Sequence, residues 1–158
     1  MKIDPSKAFD AIASMAVLLT RERRVVLDHQ ESDATMRITT VGREYGRICG
    51  LSGQSIRDLA TIGMAIGGVS VKLDPSDDSV DRDNDQHPTV IQLLHTVMGL
   101  IVRHEPEITR GPDGVTVVAP TIEDHPLRAS IERIFFAIGR TQNERCKIEW
   151  SPSIEQMS

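Results

Sequence analysis

An acidic stretch that is almost free of apolar residues divides this sequence into two parts of similar length. Residues 74–87 hold six aspartates and one arginine. A segment of this composition cannot bury apolar surface, so we expect a solvated linker or loop there. The remaining segments, 1–73 and 88–158, must therefore build the core, either as two small units or as the halves of one domain.

Hydrophobic periodicity predicts the same order of elements on both sides of the acidic stretch: helix, hairpin, helix, strand. In the first segment we expect a helix over 5–22, a hairpin of 25–27 with 36–39, a helical region over 42–66 that is interrupted by Gly50, Ser52 and Gly53, and a strand over 69–73. In the second segment we expect a helix from 88 to about 104, a hairpin over 107–119, a helix that Asp124 and Pro126 open, and a strand over 147–150. The pattern predicts an α+β fold of about four helices with short hairpins and strands. Internal duplication and chance agreement both explain the repeated order.

The core must be mainly aliphatic, because the chain has only one Trp, one Tyr and three Phe. Apolar residues on one face of the last helix should be buried together with those of the helix that follows the acidic stretch. The residues expected in this shared core are Ile131, Phe135, Ile138, Leu93, Val97 and Ile101.

Composition and charge narrow the class of protein. The chain has 158 residues, of which 39% are hydrophobic, and a net charge of −5, which is also the charge of residues 74–87. The rest of the chain is neutral overall, so there is no general positive field to attract nucleic acid.

Cys49 and Cys146 lack metal-site spacing and are expected to be buried free thiols. The apolar run 11–19 is too short to cross a membrane, and we expect a cytoplasmic protein.

Metal and catalytic motifs give no positive prediction. Asp81, Asp83 and Asp85 alternate as in calcium loops, but Gln86 and Gln92 stand where that motif needs glycine and glutamate. His95 lies among apolar neighbours and is expected to be partly buried. No nucleophile or nucleotide-binding motif occurs, so we predict no metal, no cofactor, no catalytic residue and no enzyme activity.

Residues 42–61, GREYGRICGLSGQSIRDLAT, have the pattern of two short helices around a tight turn. Gly46 follows the large Tyr45 in the first helix, Gly50 suits the turn, and Ser52 can cap the second helix. Ile56 and Leu59 would then point back onto the first helix. Over these residues the chain resembles helix-turn-helix DNA-binding proteins.

This resemblance implies that the start of the second helix enters the major groove of DNA. The outward positions would be Gly53, Gln54, Arg57, Asp58 and Thr61. Gln54 could pair with adenine and Arg57 with guanine. The residues expected to contact phosphates are Arg37, Arg43 and Arg47.

Two alternatives remain beside DNA binding. The segment 42–61 can be a plain helical region broken at GLSG, with its apolar side chains in the core: Ile48, Leu51, Ile56, Leu59 and Ile62. The whole chain can be an acidic protein-binding module, such as an adaptor, a secretion-chaperone-like factor or an inhibitor of a larger complex. Broad apolar helix faces also predict a homodimer.

Overall fold

The computed structural model describes residues 5–21, 23–40, 42–75, 88–102 and 106–151. The elements of the first segment are α1 (Pro5–Leu18), β1 (Val25–Gln30), β2 (Thr35–Thr40), α2 (Gly42–Cys49), α3 (Gln54–Gly67) and β3 (Ser70–Pro75). Those of the second segment are α4 (Val90–Val102), β4 (Glu107–Gly111), β5 (Gly114–Pro120), α5 (His125–Gln142) and β6 (Cys146–Ser151). The predicted α+β class is confirmed.

The strands form two three-stranded sheets with the same topology, β1-β2-β3 and β4-β5-β6. In each sheet the first two strands are an antiparallel hairpin, and the third strand pairs in parallel with the second. Ile38 on β2, for example, lies opposite Leu27 on β1 and Leu73 on β3. A parallel pair needs a crossover connection, and α3 and α5 supply it in the two sheets.

The two segments differ in how the hairpin connects to the crossover helix. The second segment goes from β5 to α5 through the short connection 121–124, whereas the first inserts the extra helix α2 and a turn before α3. The elements common to both segments therefore correspond, α1 to α4 and α3 to α5. Whether this correspondence comes from duplication stays a prediction.

The helices of the two segments pack on one another and build a single core. Between the segments, α3 packs on α5 and α1 packs on α4. In addition, α1 contacts α5 and α3 contacts α4. These contacts between the segments match a pseudo-two-fold arrangement, but α1 also packs on α3 and the described residues show no comparable packing of α4 on α5. Of the predicted core residues, Ile131, Phe135, Ile138, Leu93 and Val97 are buried. Ile101 is half-buried and packs against that core.

Several boundaries differ from the predicted ones for local reasons. α1 ends at Leu18 and not at residue 22. Just after its end, the Thr20 hydroxyl donates to the Val17 carbonyl (2.7 Å). α4 begins at Val90 and not at Pro88, because Thr89 and Gln92 form a capping box: the Gln92 N–H donates to Thr89 Oγ1 (3.1 Å) and the Thr89 N–H to Gln92 Oε1 (3.3 Å).

The acidic stretch is only partly within the described residues. Asp74 and Pro75 belong to β3, where Asp74 also pairs with Arg37 on β2. The predicted linker therefore cannot begin at residue 74, because that residue is part of a sheet. The rest of the stretch, 76–87, lies outside the described residues, and so does the calcium-like pattern of aspartates. None of the described helices is both long and apolar enough to cross a bilayer.

Candidate nucleic-acid interface

A four-residue loop, Gly50-Leu51-Ser52-Gly53, joins α2 to α3, and we call it the GLSG loop. The Gly50 N–H donates to the Gly46 carbonyl (2.9 Å) and the Gly53 N–H to the Gly50 carbonyl (3.1 Å). The φ angles of Gly50, Ser52 and Gly53 are 77°, 55° and 74°. Leu51 is 90% exposed, so it does not pack in the core as the plain helical interpretation expected. The loop is closed at both ends and presents its middle residues to solvent.

Glycine at position 50 is required by a close approach of backbone to backbone. A Cβ atom there would lie 2.3 Å from Ser55 Oγ and 2.8 Å from the Ser55 backbone nitrogen. The loop therefore lies directly against the first turn of α3. A residue larger than glycine would move the loop away from the helix.

The first turn of α3 has no side-chain cap within the part of the chain that the structure describes. Its N-cap is Gly53, and not Ser52 as the sequence predicted, because α3 begins at Gln54 and Ser52 belongs to the preceding turn. Arg57 spans the loop from within α3: its guanidinium donates to the Ser52 carbonyl (2.9 Å) and to Gln54 Oε1 (3.3 Å). An uncapped helix N-terminus beside a guanidinium favours an anion.

Two clefts lie on either side of the GLSG loop. The first, of about 620 Å³, reaches from the loop to α2, to α5 and to the residues that follow α1. The second, of about 700 Å³, lies between the loop, α3 and α5. Leu51, Ser55 and Arg140 line both clefts, so the two form one surface that passes over the loop.

Arginines dominate the charge of this surface. The arginines that line the two clefts are Arg21, Arg47, Arg57, Arg133 and Arg140, and the one acidic lining residue is Glu132. Two of these arginines are held by buried carboxylates, Arg47 by Glu44 and Arg133 by Asp58. Among the described residues, no carboxylate forms an ion pair with Arg57 or Arg140. The surface is therefore locally positive in a chain that is acidic overall.

Asp58 connects the two halves of the molecule under the second cleft. Its carboxylate accepts hydrogen bonds from Arg133 Nε (2.9 Å) and a second Arg133 nitrogen (2.8 Å), from Ser130 Oγ (2.9 Å) and from Gln54 Nε2 (2.9 Å). The hydrogen bonds between Arg133 and Asp58 raise the pKa of Arg133. The prediction that Asp58 faces outward is wrong, because α5 covers that side of α3 and supplies its partners.

No protein-family model matches the sequence, and no curated protein is significantly similar to it. The geometry around the GLSG loop therefore carries the functional inference.

The predicted contact residues are not all at this surface. Gln54 and Arg57 line the second cleft, and Arg47 lines the first. Arg43 is exposed at the start of α2 and Thr61 on the outer side of α3, and neither lines these two clefts. Arg37 lies on β2, where its guanidinium is 3.5 Å from Asp74. Whether any of these residues contacts DNA stays a prediction.

Sequence reasoning missed several lining residues, among them Arg21, Arg133, Phe136 and Arg140. Three of these four lie on α5, far along the chain from residues 42–61, so no local pattern pointed to them. The available signal was Phe136 itself, a large apolar residue that lies outside the apolar face predicted for this helix, and the structure shows it 62% exposed.

The described residues contain no group of three or more histidine, cysteine or acidic side chains that could hold a metal ion. His95 is exposed on α4 and not partly buried, because Leu94, Val97 and Met98 form the inner face of that helix. Cys49 and Cys146 are half-buried free thiols. Burial raises the pKa of Cys146 to about 11, which keeps its thiol protonated and weakly nucleophilic at neutral pH.

Proposed function

We propose that this chain binds single-stranded nucleic acid, and that the GLSG loop holds the sugar-phosphate backbone. The observation that carries the proposal is a G-x-x-G loop between two helices, with both glycines at positive φ and arginine-lined clefts on either side. KH modules of RNA-binding proteins clamp about four nucleotides with a loop of this G-x-x-G form. The same spacing and exposure support the same use here.

The chemistry of the loop suits a phosphate backbone. Close approach of Gly50 to α3 brings the loop and the uncapped helix N-terminus to one point, where main-chain N–H groups favour anions. Arg57 and Arg140 line the second cleft with Leu51 and add positive charge there, and Arg140 also lines the first. A backbone that crosses the loop would meet positive charge in both clefts.

The surroundings of α3 favour a single strand over a duplex. A recognition helix of the helix-turn-helix type must stand clear enough to enter the major groove, which is about 12 Å wide. α3 instead packs on α1 and α5, and its inner face, which includes Asp58, Leu59 and Ile62, is buried. Its exposed strip is narrow and includes Arg57, Thr61 and Met64. Duplex DNA binding through Gln54 and Arg57 remains the competing prediction.

The alternative of an acidic protein-binding module also stays a prediction, and the arginine-lined clefts favour an anionic ligand over a general protein partner. We keep the cytoplasm as the proposed location, since both cysteines are free thiols.

A charge-only change in the loop tests the proposal. Leu51→Asp with Ser52→Asp places two carboxylates where the phosphates would lie, and Leu51→Asn with Ser52→Asn is the matched neutral control. Both positions are exposed, and Asp and Asn tolerate the left-handed conformation of Ser52, so the two variants should fold alike. We expect the Asp variant to bind a labelled single strand of about twelve nucleotides at least tenfold more weakly than the Asn variant in fluorescence anisotropy.

The competing interpretations give different results in the same assay. Tighter binding to a duplex of the same sequence than to the single strand would favour the helix-turn-helix prediction. Equal affinity of the Asp and Asn variants for the single strand would contradict the proposed role of the loop.

A further inference from the structure

Two adjacent phenylalanines on α5 have opposite environments. Phe135 is fully buried in the core, whereas Phe136 is 62% exposed. Phe136 shares its side of the helix with Arg133 and Arg140, which are three residues before it and four after it. The Arg140 guanidinium carbon lies 6.0 Å from the centre of the Phe136 ring. The core therefore does not explain why an aromatic residue stands at position 136.

Phe136 lies in the second cleft together with the GLSG loop. Leu51, Ser52 and Arg57 line that cleft from the first half of the chain, and Arg133, Phe136 and Arg140 line it from the second half. The packing of α5 on α3 brings the ring to the loop, and the Asp58–Arg133 ion pair fixes that packing.

We propose that Phe136 stacks on a base of the strand whose backbone the GLSG loop holds, so that the second half of the chain supplies the base-binding part of the site. This inference rests on the proposed function. Bases stack on exposed aromatic side chains without regard to sequence, and a neighbouring arginine adds a cation–π contribution.

The charge of the cleft determines the choice of occupant. Three arginines and one glutamate, Glu132, line the cleft together with the ring. The Glu132 carboxylate accepts a hydrogen bond from the Trp150 indole N–H (2.5 Å). A purely apolar peptide segment would leave the positive charges of Arg57 and Arg140, which have no acidic partner among the described residues, without compensation. A nucleotide offers both an apolar face for Phe136 and a phosphate for the guanidinium groups.

The test compares Phe136→Leu with Phe136→Tyr in the full chain. Leucine keeps an apolar side chain without a ring, and tyrosine keeps the ring. We expect Phe136→Leu to weaken binding of a single strand of about twelve nucleotides about tenfold, and Phe136→Tyr to bind as the native chain does. Phe136→Trp adds an indole to the one native Trp, and its added fluorescence should be quenched on binding.

An abasic strand of the same length separates stacking from every other role of Phe136. The native chain and the Phe136→Leu variant should bind the abasic strand with equal affinity, since that strand has no base to stack. An equal loss on both strands would overturn the inference, because the ring would then act through the loop or the backbone. Native affinity of Phe136→Leu for the normal strand would also overturn it.

The two proposals fail separately. If Phe136→Leu binds normally while Leu51→Asp with Ser52→Asp does not bind, the loop holds the strand and the stacking role is wrong. If none of these variants changes binding, the proposed function itself is wrong.

Discussion

Gly50 is the residue on which the shape of the GLSG loop depends most. An alanine there would press its Cβ into Ser55 at a φ of 77°. We expect Gly50→Ala to lower the free energy of unfolding by about 1–3 kcal/mol, which urea denaturation measures. Gly46→Ala is the matched control, since a Cβ there meets open space inside α2 and should stabilise by about 0.5–1 kcal/mol. Equal stability of the two variants would contradict this geometry.

Phe135 and Phe136 form a natural pair for a stability measurement. Phe135 is fully buried, and Phe135→Ala should cost about 3–5 kcal/mol of unfolding free energy. Phe136→Ala removes an exposed ring and should change stability by less than about 0.5 kcal/mol. A large loss for Phe136→Ala in thermal or urea unfolding would mean that its ring supports the fold and is not available for a ligand.

Single residues also mark how far the site could be predicted from the sequence. Gln54 and Arg57 follow a recognisable turn and lie at the second cleft as local helix geometry suggests. Asp58 does not face outward, because its partners Ser130 and Arg133 are more than 70 residues away in sequence. A charged residue is expected to face solvent unless it is paired, and the partners of Asp58 lie too far along the chain for a local pattern to reveal them.

At the scale of elements, local signals predicted the order of helices and strands but missed which strands pair in parallel. Asp124 caps α5 as predicted, since its carboxylate accepts from the Leu127 N–H (3.0 Å). Both predicted hairpins are present. The parallel pairing of β3 with β2 and of β6 with β5 was not predicted, because it joins segments separated by a whole helix.

The attachment of α5 to α3 depends on Arg133, which binds the buried Asp58 through two nitrogens. Arg133→Ala leaves that carboxylate with only neutral donors. Because the Arg133 side chain is half exposed, we expect a modest loss of about 1–2 kcal/mol. Arg140→Ala, on the same helix and without an acidic partner in the described part of the chain, should change stability by less than about 0.5 kcal/mol. Urea denaturation of both variants measures the difference, and equal losses would show that the ion pair does not hold α5.

At the scale of the whole molecule, the two halves meet through their helices and share one core. The broad apolar faces that suggested a homodimer belong to α1, α3, α4 and α5, and these faces pack on one another within the chain. The homodimer therefore stays a prediction, and the apolar helix faces no longer support it. The sequence indicated two similar halves, but their contacts are long-range and leave no periodic signal.

The acidic stretch should weaken nucleic-acid binding by long-range repulsion. Replacing the aspartates of 76–87 by asparagine makes the net charge less negative by five and leaves β3 intact, the positions being Asp77, Asp78, Asp81, Asp83 and Asp85. We expect tighter single-strand binding at low salt, with the difference shrinking as the Debye length falls below about 10 Å. Anisotropy titrations over a salt series measure this, and a difference that persists at high salt would contradict it.

The most direct measurement is an amide ¹H–¹⁵N NMR titration of the full chain with a single strand of about twelve nucleotides. We predict that the largest shift changes fall on the GLSG loop, on the first turn of α3 and on α5 between Arg133 and Arg140. The amides of the hairpins β1-β2 and β4-β5 should stay nearly unchanged. Shift changes confined to the sheets, or none at saturating single strand, would contradict the central claim that the GLSG loop holds nucleic acid.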